Sequence, residues 1–130
     1  MKILIVDDIP TNRKLLRVNL EGEGHLVVEA ADGREALKVL YHETIDAVIS
    51  DILMPNMDGF RLCQEIRASE KLRATPFVIY TSTYTSARDQ KLAESIGADC
   101  YLTKPSPLQA ILSGLNQAVL KAAQRSATVQ

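Results

Sequence analysis

Asp7 and Asp8 stand side by side where the apolar run Ile3–Val6 ends. Adjacent carboxylates repel, and near a low-dielectric interior that repulsion reaches kilocalories and raises pKa values. A chain accepts this where a cation answers it, or where the strand simply ends in water. Three more apolar runs end in groups of related chemistry. Ala47–Ile49 leads to Ser50 and Asp51, Phe77–Tyr80 to Thr81 and Ser82, and Cys100–Leu102 to Thr103, Lys104 and Pro105. If these runs are neighbouring strands, Asp7, Asp8 and Asp51 converge and need a cation. A hard divalent ion held by one or two carboxylates and several waters is the usual form of a magnesium site. Lys104 would face the same pocket as a point charge for a phosphoryl oxygen.

Something must carry these groups to one edge. The short apolar runs, with Leu26–Val28 as another, are mostly continuous rather than alternating, which suits strands buried on both faces of a parallel sheet. Leu26–Val28 lies between His25 and Glu29 and reads as an edge strand. Helical patterns separate the runs. Pro10 opens one that carries Leu16 and Leu20 and stops at Gly22 and Gly24. A second carries Ala36, Leu37, Leu40 and Tyr41. Asp58 caps a third, with Leu62, Cys63 and Ile66 on one face, and Gly97 ends a fourth as a left-handed cap. For the last, Ser106 is the expected cap and Pro107 the first helical residue. Its apolar stripe is Leu108, Ile111, Leu112, Leu115, Val119 and Leu120. Five strand–helix units predict an α/β domain with a parallel sheet, right-handed crossovers and helices on both faces. Ligands then bind beyond the carboxyl ends of the strands, where these polar groups sit.

Composition narrows the classes. At 130 residues and 46% apolar, the chain makes one domain with a full core. Its 15 basic and 16 acidic side chains leave a formal charge of −1, so it lacks the basic footprint of a nucleic-acid or anionic-membrane binder. No apolar run approaches a membrane span, and the acid after Ile3–Val6 argues against a signal peptide. Cys63 and Cys100 have no metal-ligand spacing and read as buried free thiols of a reducing, cytoplasmic setting. His25 and His42 read as surface or edge residues, not phosphoryl carriers.

Taken together, "ILIVDD", "VISDILMPNMDG", "VIYTST" and "CYLTKP" resemble the receiver domain of two-component response regulators, in the order and spacing of that family. The resemblance runs to about residue 120. It implies a (βα)5 flavodoxin-like, doubly wound sheet with strand order 2-1-3-4-5. It implies that Asp51 is the phosphoacceptor. Asp7 and Asp8 would hold Mg2+, with the Asp51 carboxylate and the Leu53 backbone carbonyl. Thr81 and Lys104 would bind phosphoryl oxygens, and Tyr101 would be the switch aromatic, turning inward on phosphorylation. A cis peptide would join Lys104 to Pro105. Such a domain is no ordinary enzyme: it assists its own magnesium-dependent phosphorylation and dephosphorylation. Its partners would be a sensor histidine kinase or phosphotransfer protein, and an output domain or protein. A homodimer through the fourth helix, fifth strand and fifth helix is a further expectation. The family mostly has alanine or glycine where Ser82 stands, and Asn12 resembles a version common in hybrid sensor kinases.

Other classes fit less well. A flavin module of this fold needs a hydroxyl- and glycine-rich phosphate loop after the first strand, and "DDIPTN" would repel a phosphate. A haloacid-dehalogenase-type phosphatase resembles this chain in using a nucleophilic aspartate, but its D-x-D motif is missing. A pseudo-receiver is disfavoured by the intact Asp51 and Lys104. Residues 1–124 are thus expected to form the receiver and 125–130 a frayed tail or the start of a linker. No output segment is legible.

Overall fold

The computed structural model describes residues 1–128, with side chains described to 125. Its elements alternate strictly: β1 (Lys2–Val6), α1 (Pro10–Gly22), β2 (Leu26–Ala30), α2 (Gly33–His42), β3 (Ala47–Ser50), α3 (Gly59–Ala68), β4 (Phe77–Thr81), α4 (Ala87–Ser95), β5 (Cys100–Thr103) and α5 (Leu108–Thr128). All strand pairs are parallel, as the apolar runs predict, and the order β2-β1-β3-β4-β5 is the one the receiver resemblance implies. β2 is an edge strand, as β5 is at the other side, and the β2 residue Leu26 is exposed.

Strand alternation divides the core in two. Leu4, Val6, Val48, Phe77 and Ile79 face one side, against Ala36 and Leu40 of α2, Leu62, Cys63 and Ile66 of α3, and Ala93 of α4. Ile3, Ile5, Ala47, Ile49 and Val78 face the other, against Leu16 and Leu20 of α1 and Ile111, Leu115 and Ala118 of α5. Strands buried on both faces explain why their sequences are continuous apolar runs. The phase at the strand ends matters for the site. Tyr101 packs on the first core, whereas Tyr80 packs on the second.

Helix termini follow local chemistry. Asp32, Asp58 and Ser86 accept the N–H groups of Glu35, Arg61 and Asp89 at the starts of α2, α3 and α4. Gly97, at φ +106, supplies the left-handed turn after α4. Two expectations are corrected. Ser106 does not cap α5: the helix begins at Leu108, and the Ser106 hydroxyl donates back to the Thr103 carbonyl at 2.7 Å. Leu120 is 65% exposed, while Ala118 and Ala122 take the buried stripe. α5 extends to Thr128. Arg125 reaches the buried Asp99, which also accepts from Arg67 Nη2 at 3.0 Å and the Phe77 N–H at 2.9 Å. Residues 129 and 130 of the expected tail lie outside the described residues.

Candidate functional site

Sheet register brings the polar groups together. Val6 pairs with Ser50, so the next residues, Asp7 and Asp51, leave the sheet side by side. The Asp51 N–H donates to the Val6 carbonyl at 2.9 Å, and the Asp7 N–H to the Ala30 carbonyl at 3.1 Å. On the other flank Thr81 pairs with Thr103, and the Lys104 N–H donates to the Thr81 carbonyl at 2.8 Å. The Lys104 side chain crosses the strand ends. Its Nζ donates to Asp7 Oδ2 at 2.6 Å and to Asp51 Oδ2 at 2.9 Å. The Lys104–Pro105 peptide is cis.

This ion-paired group is largely withdrawn from water. Asp7 is 4% exposed. Burial alone would lower the Lys104 pKa, but its hydrogen bonds to Asp7 and then Asp51 outweigh that and hold it above its ordinary value. The other carboxylate oxygens are also occupied. Asp7 Oδ1 accepts the Ile9 N–H at 2.9 Å, and Asp51 Oδ1 accepts the Ile52 N–H at 2.7 Å. Asn12 donates to Asp7 Oδ2 at 3.4 Å, and Ser50 donates to the Asp51 carbonyl at 2.7 Å. The loop after Asp51 folds back tightly. The Gly59 N–H donates to the Ile52 carbonyl at 2.8 Å, and a Cβ at residue 59 would lie 2.2 Å from the Asp51 carbonyl oxygen. Glycine at the start of α3 is therefore what lets the helix sit against the strand end that carries Asp51.

The remaining candidates are placed less uniformly. Asp8 is exposed on the rim, outside the ion-paired group. Leu53 follows in the β3–α3 loop with its side chain 58% exposed. Thr81 is buried, but its hydroxyl pairs with Thr83 Oγ1 at 3.1 Å and accepts the Thr83 N–H, facing its own loop rather than Asp51. Ser82 lies at the mouth of the cleft, and Thr103 is exposed. Tyr101 is half-buried on β5. Its ring packs on the α2–α3–α4 core, and its hydroxyl is buried with no hydrogen-bond partner among the described residues. That burial, then the nearby Asp89 and Asp51, raises the phenol pKa. His42 is exposed and His25 half-buried beside the amino terminus, away from the site.

Among the described residues no three His, Cys, Asp or Glu side chains cluster closely enough to make a metal cage. The donors present are nevertheless hard oxygens, and the ammonium between Asp7 and Asp51 is a cation in just the place where they need one. Such a set fits a magnesium ion that keeps most of its waters, provided Lys104 releases Asp7. Two contributors were not legible beforehand: Gly59, because its role is a backbone contact across the loop, and Tyr80. Tyr80 lines a cleft of about 410 Å³ between α1 and α5 that opens beside Asp7, Asp51 and Lys104. Its only sequence signal is that it is out of phase with Thr81.

Residues 3–116 match the response regulator receiver domain. The chain belongs to that family. The receiver is 40% identical over 127 residues to the probable transcriptional regulator ycf27 of Guillardia theta, covering 97% of this chain and 48% of that protein. It is 46% identical over 112 residues to the sensor histidine kinase RcsC of Salmonella typhi, covering 85% of this chain and 11% of the kinase. It therefore spans about half of the first relative and about a tenth of the second. Among solved structures, the Vibrio cholerae chemotaxis protein CheY4 superposes with a TM-score of 0.83 at 33% identity, over 90% of this chain and 97% of that one. The receiver domain of a signal transduction histidine kinase from Syntrophus aciditrophicus gives 0.82 at 34% identity, over 92% and 90%. The receiver is thus a signalling module of two-component systems. No helix among the described residues is long and apolar enough to cross a membrane.

Proposed function

We propose that Asp51 accepts a phosphoryl group from a histidine kinase or phosphotransfer protein, with magnesium, in the cytoplasm. The observation that carries this is the Lys104 ammonium shared between Asp7 and Asp51 at the end of a register that sets the two carboxylates side by side. Asp51 Oδ attacks phosphorus, an aspartyl phosphate forms, and the bond to the donor breaks with its electron pair leaving on the donor. Phosphoryl transfer of this kind needs positioning and charge neutralisation more than covalent assistance. Asp7, Asp8, Asp51 and the Leu53 carbonyl are the residues to hold magnesium, which when bound neutralises charge on the phosphoryl oxygens. Lys104 exchanges its carboxylate partner for a phosphoryl oxygen. Thr81 gives up Thr83 and donates its hydroxyl to another.

The same exchange supplies the switch. The Thr81 hydroxyl has two alternatives, Thr83 or the phosphoryl group, and its movement changes the room available to Tyr101 on the same face of the sheet. The α4–β5–α5 surface then passes its change to an output domain or protein, or to a second copy of the chain. Phosphorylation shifts a population between two packings, by no more than its differential interaction with them. Thr81→Ala should accept phosphate yet leave Tyr101 unmoved.

Acetyl phosphate with magnesium is the direct test. Mass spectrometry should find one hydroxylamine-sensitive phosphate on Asp51, absent from Asp51→Asn and dependent on the metal. A modification elsewhere would overturn the assignment.

A further inference from the structure

β4 ends at Thr81, beside the strand ends that carry Asp51 and Lys104, and the residue before it points to the opposite face. That residue, Tyr80, touches the pocket from beneath. Lys104 Nζ lies 5.6 Å from the centre of its ring, within the range of a cation–π contact. Its hydroxyl accepts the Ser106 N–H at 3.1 Å, just beyond the Lys104–Pro105 peptide. With the Lys104 N–H bonded to the Thr81 carbonyl, two consecutive residues of β4 grip residues 104–106 at three points. A core aromatic serving only to fill space between α1 and α5 would need none of these polar contacts.

We infer that Tyr80 is a positioning residue for phosphoryl transfer: its ring face keeps the Lys104 ammonium in the pocket when a divalent cation takes Asp7. This rests on the reading of Asp51 as phosphoacceptor and Lys104 as phosphoryl ligand. Lysine is a point charge on a long flexible stem, and it is strongly hydrated. Its two present anchors are carboxylates that the metal would claim or the phosphate would modify. The ring is an anchor that neither event removes. Its negative face lies against the ammonium through the whole cycle, and the lysine arrives at the transition state already placed rather than sampling solvent.

The full chain tests this with acetyl phosphate and magnesium as probes. Tyr80→Leu should slow Asp51 phosphorylation about three- to tenfold, the range of a partly buried cation–π contact. Tyr80→Phe should stay within about twofold of wild type, because the ring remains. Magnesium titrations should be alike in all three, since no metal ligand is changed. By NMR, the ring-current shift of the Lys104 ε-methylene should persist when magnesium is added to wild type and Tyr80→Phe, and vanish in Tyr80→Leu. If Tyr80→Leu does not fold, the Tyr80→Phe protein with that phenylalanine progressively fluorinated keeps the shape and drains the ring face. Its rate should fall as fluorines are added. Equal rates in the leucine and wild-type proteins, equal slowing by leucine and phenylalanine, or indifference to fluorination would each overturn the inference while leaving the phosphoacceptor intact. Failure of wild type to take phosphate on Asp51 would overturn that reading and this one together.

Discussion

Replacing Lys104 by methionine keeps most of the stem and deletes the charge that Asp7 and Asp51 share. A hydrogen bond to a charged group contributes about 1.5–3 kcal/mol, and removing one member of a fully buried ion pair costs about 3–5 kcal/mol. The Lys104 side chain is 16% exposed, against 6% for Asp7 and 11% for Asp51. Screening at that edge sets the expected loss at about 2–4 kcal/mol. Because the ion pairs hold the Lys104 pKa above its ordinary value of 10.5, its contribution is complete at neutral pH and fades only as pH climbs through the folded-state value. A neutral-pH measurement therefore reports all of it. With a urea dependence of about 2 kcal/mol per molar, the Lys104→Met midpoint should fall by about 1–2 M in the presence of a chelator. Magnesium should then recover more stability in Lys104→Met than in wild type, because the metal no longer competes with an ammonium for Asp7. Circular dichroism followed through urea, with and without the metal, gives both numbers. An unchanged midpoint, or the same magnesium increment in both proteins, would refute the account of Lys104 as the resident counter-charge.

Gly59→Ala places a methyl group against the Asp51 carbonyl, so it should cost about 1–3 kcal/mol and slow phosphorylation together; a urea midpoint and rate equal to wild type would show that the loop yields freely. The phosphate should be long-lived, because Leu53 and Thr83 offer no carboxylate or carboxamide to orient water. Leu53→Asn combined with Thr83→Glu should shorten its lifetime in a decay assay without changing the magnesium requirement, and an unaltered decay would remove water positioning by these residues as the cause. Arg17, and less strongly Arg13, hold Glu29 below the usual carboxylate value of 4.5, and the Glu35 N–H, then Asn56, hold Asp32 below 3.8. Both contribute stability present above those values and lost as pH falls through the lower folded ones, so the urea midpoint should drop on acidification, less steeply in Glu29→Gln. Cys63 is fully buried, with its thiol pushed up to about 11 by that burial, so thiol reagents at neutral pH should label it only on unfolding; rapid native labelling would contradict the packing of α3 against the sheet.

Period and punctuation in the chain were enough to determine an α/β parallel sheet, and the strand order came from the resemblance to receiver domains. Continuous apolar runs such as "ILIV" can satisfy a two-sided environment only, and five of them separated by amphipathic helices leave a parallel, helix-covered sheet as the economical arrangement. Polar residues at the strand ends then fixed which edge carries the chemistry, and the pairing of Asp51 with Lys104 was readable because charge at such a position has few other uses. What each group touches was decided only by the tertiary structure. Register put Asp7 beside Asp51 and left Asp8 on the rim, a distinction that adjacent identical residues cannot encode by themselves. Thr81 faces Thr83, and Tyr101 packs half-buried against the α2–α3–α4 core, because a side chain chooses among rotamers by the neighbours that long-range folding supplies. The contact of Arg125 with Asp99 likewise exists only once β5 and α5 are packed. Gly59 and Tyr80 act through contacts with Asp51 and Lys104 that are local in space and remote or out of phase in sequence, so their roles exist only in the folded chain.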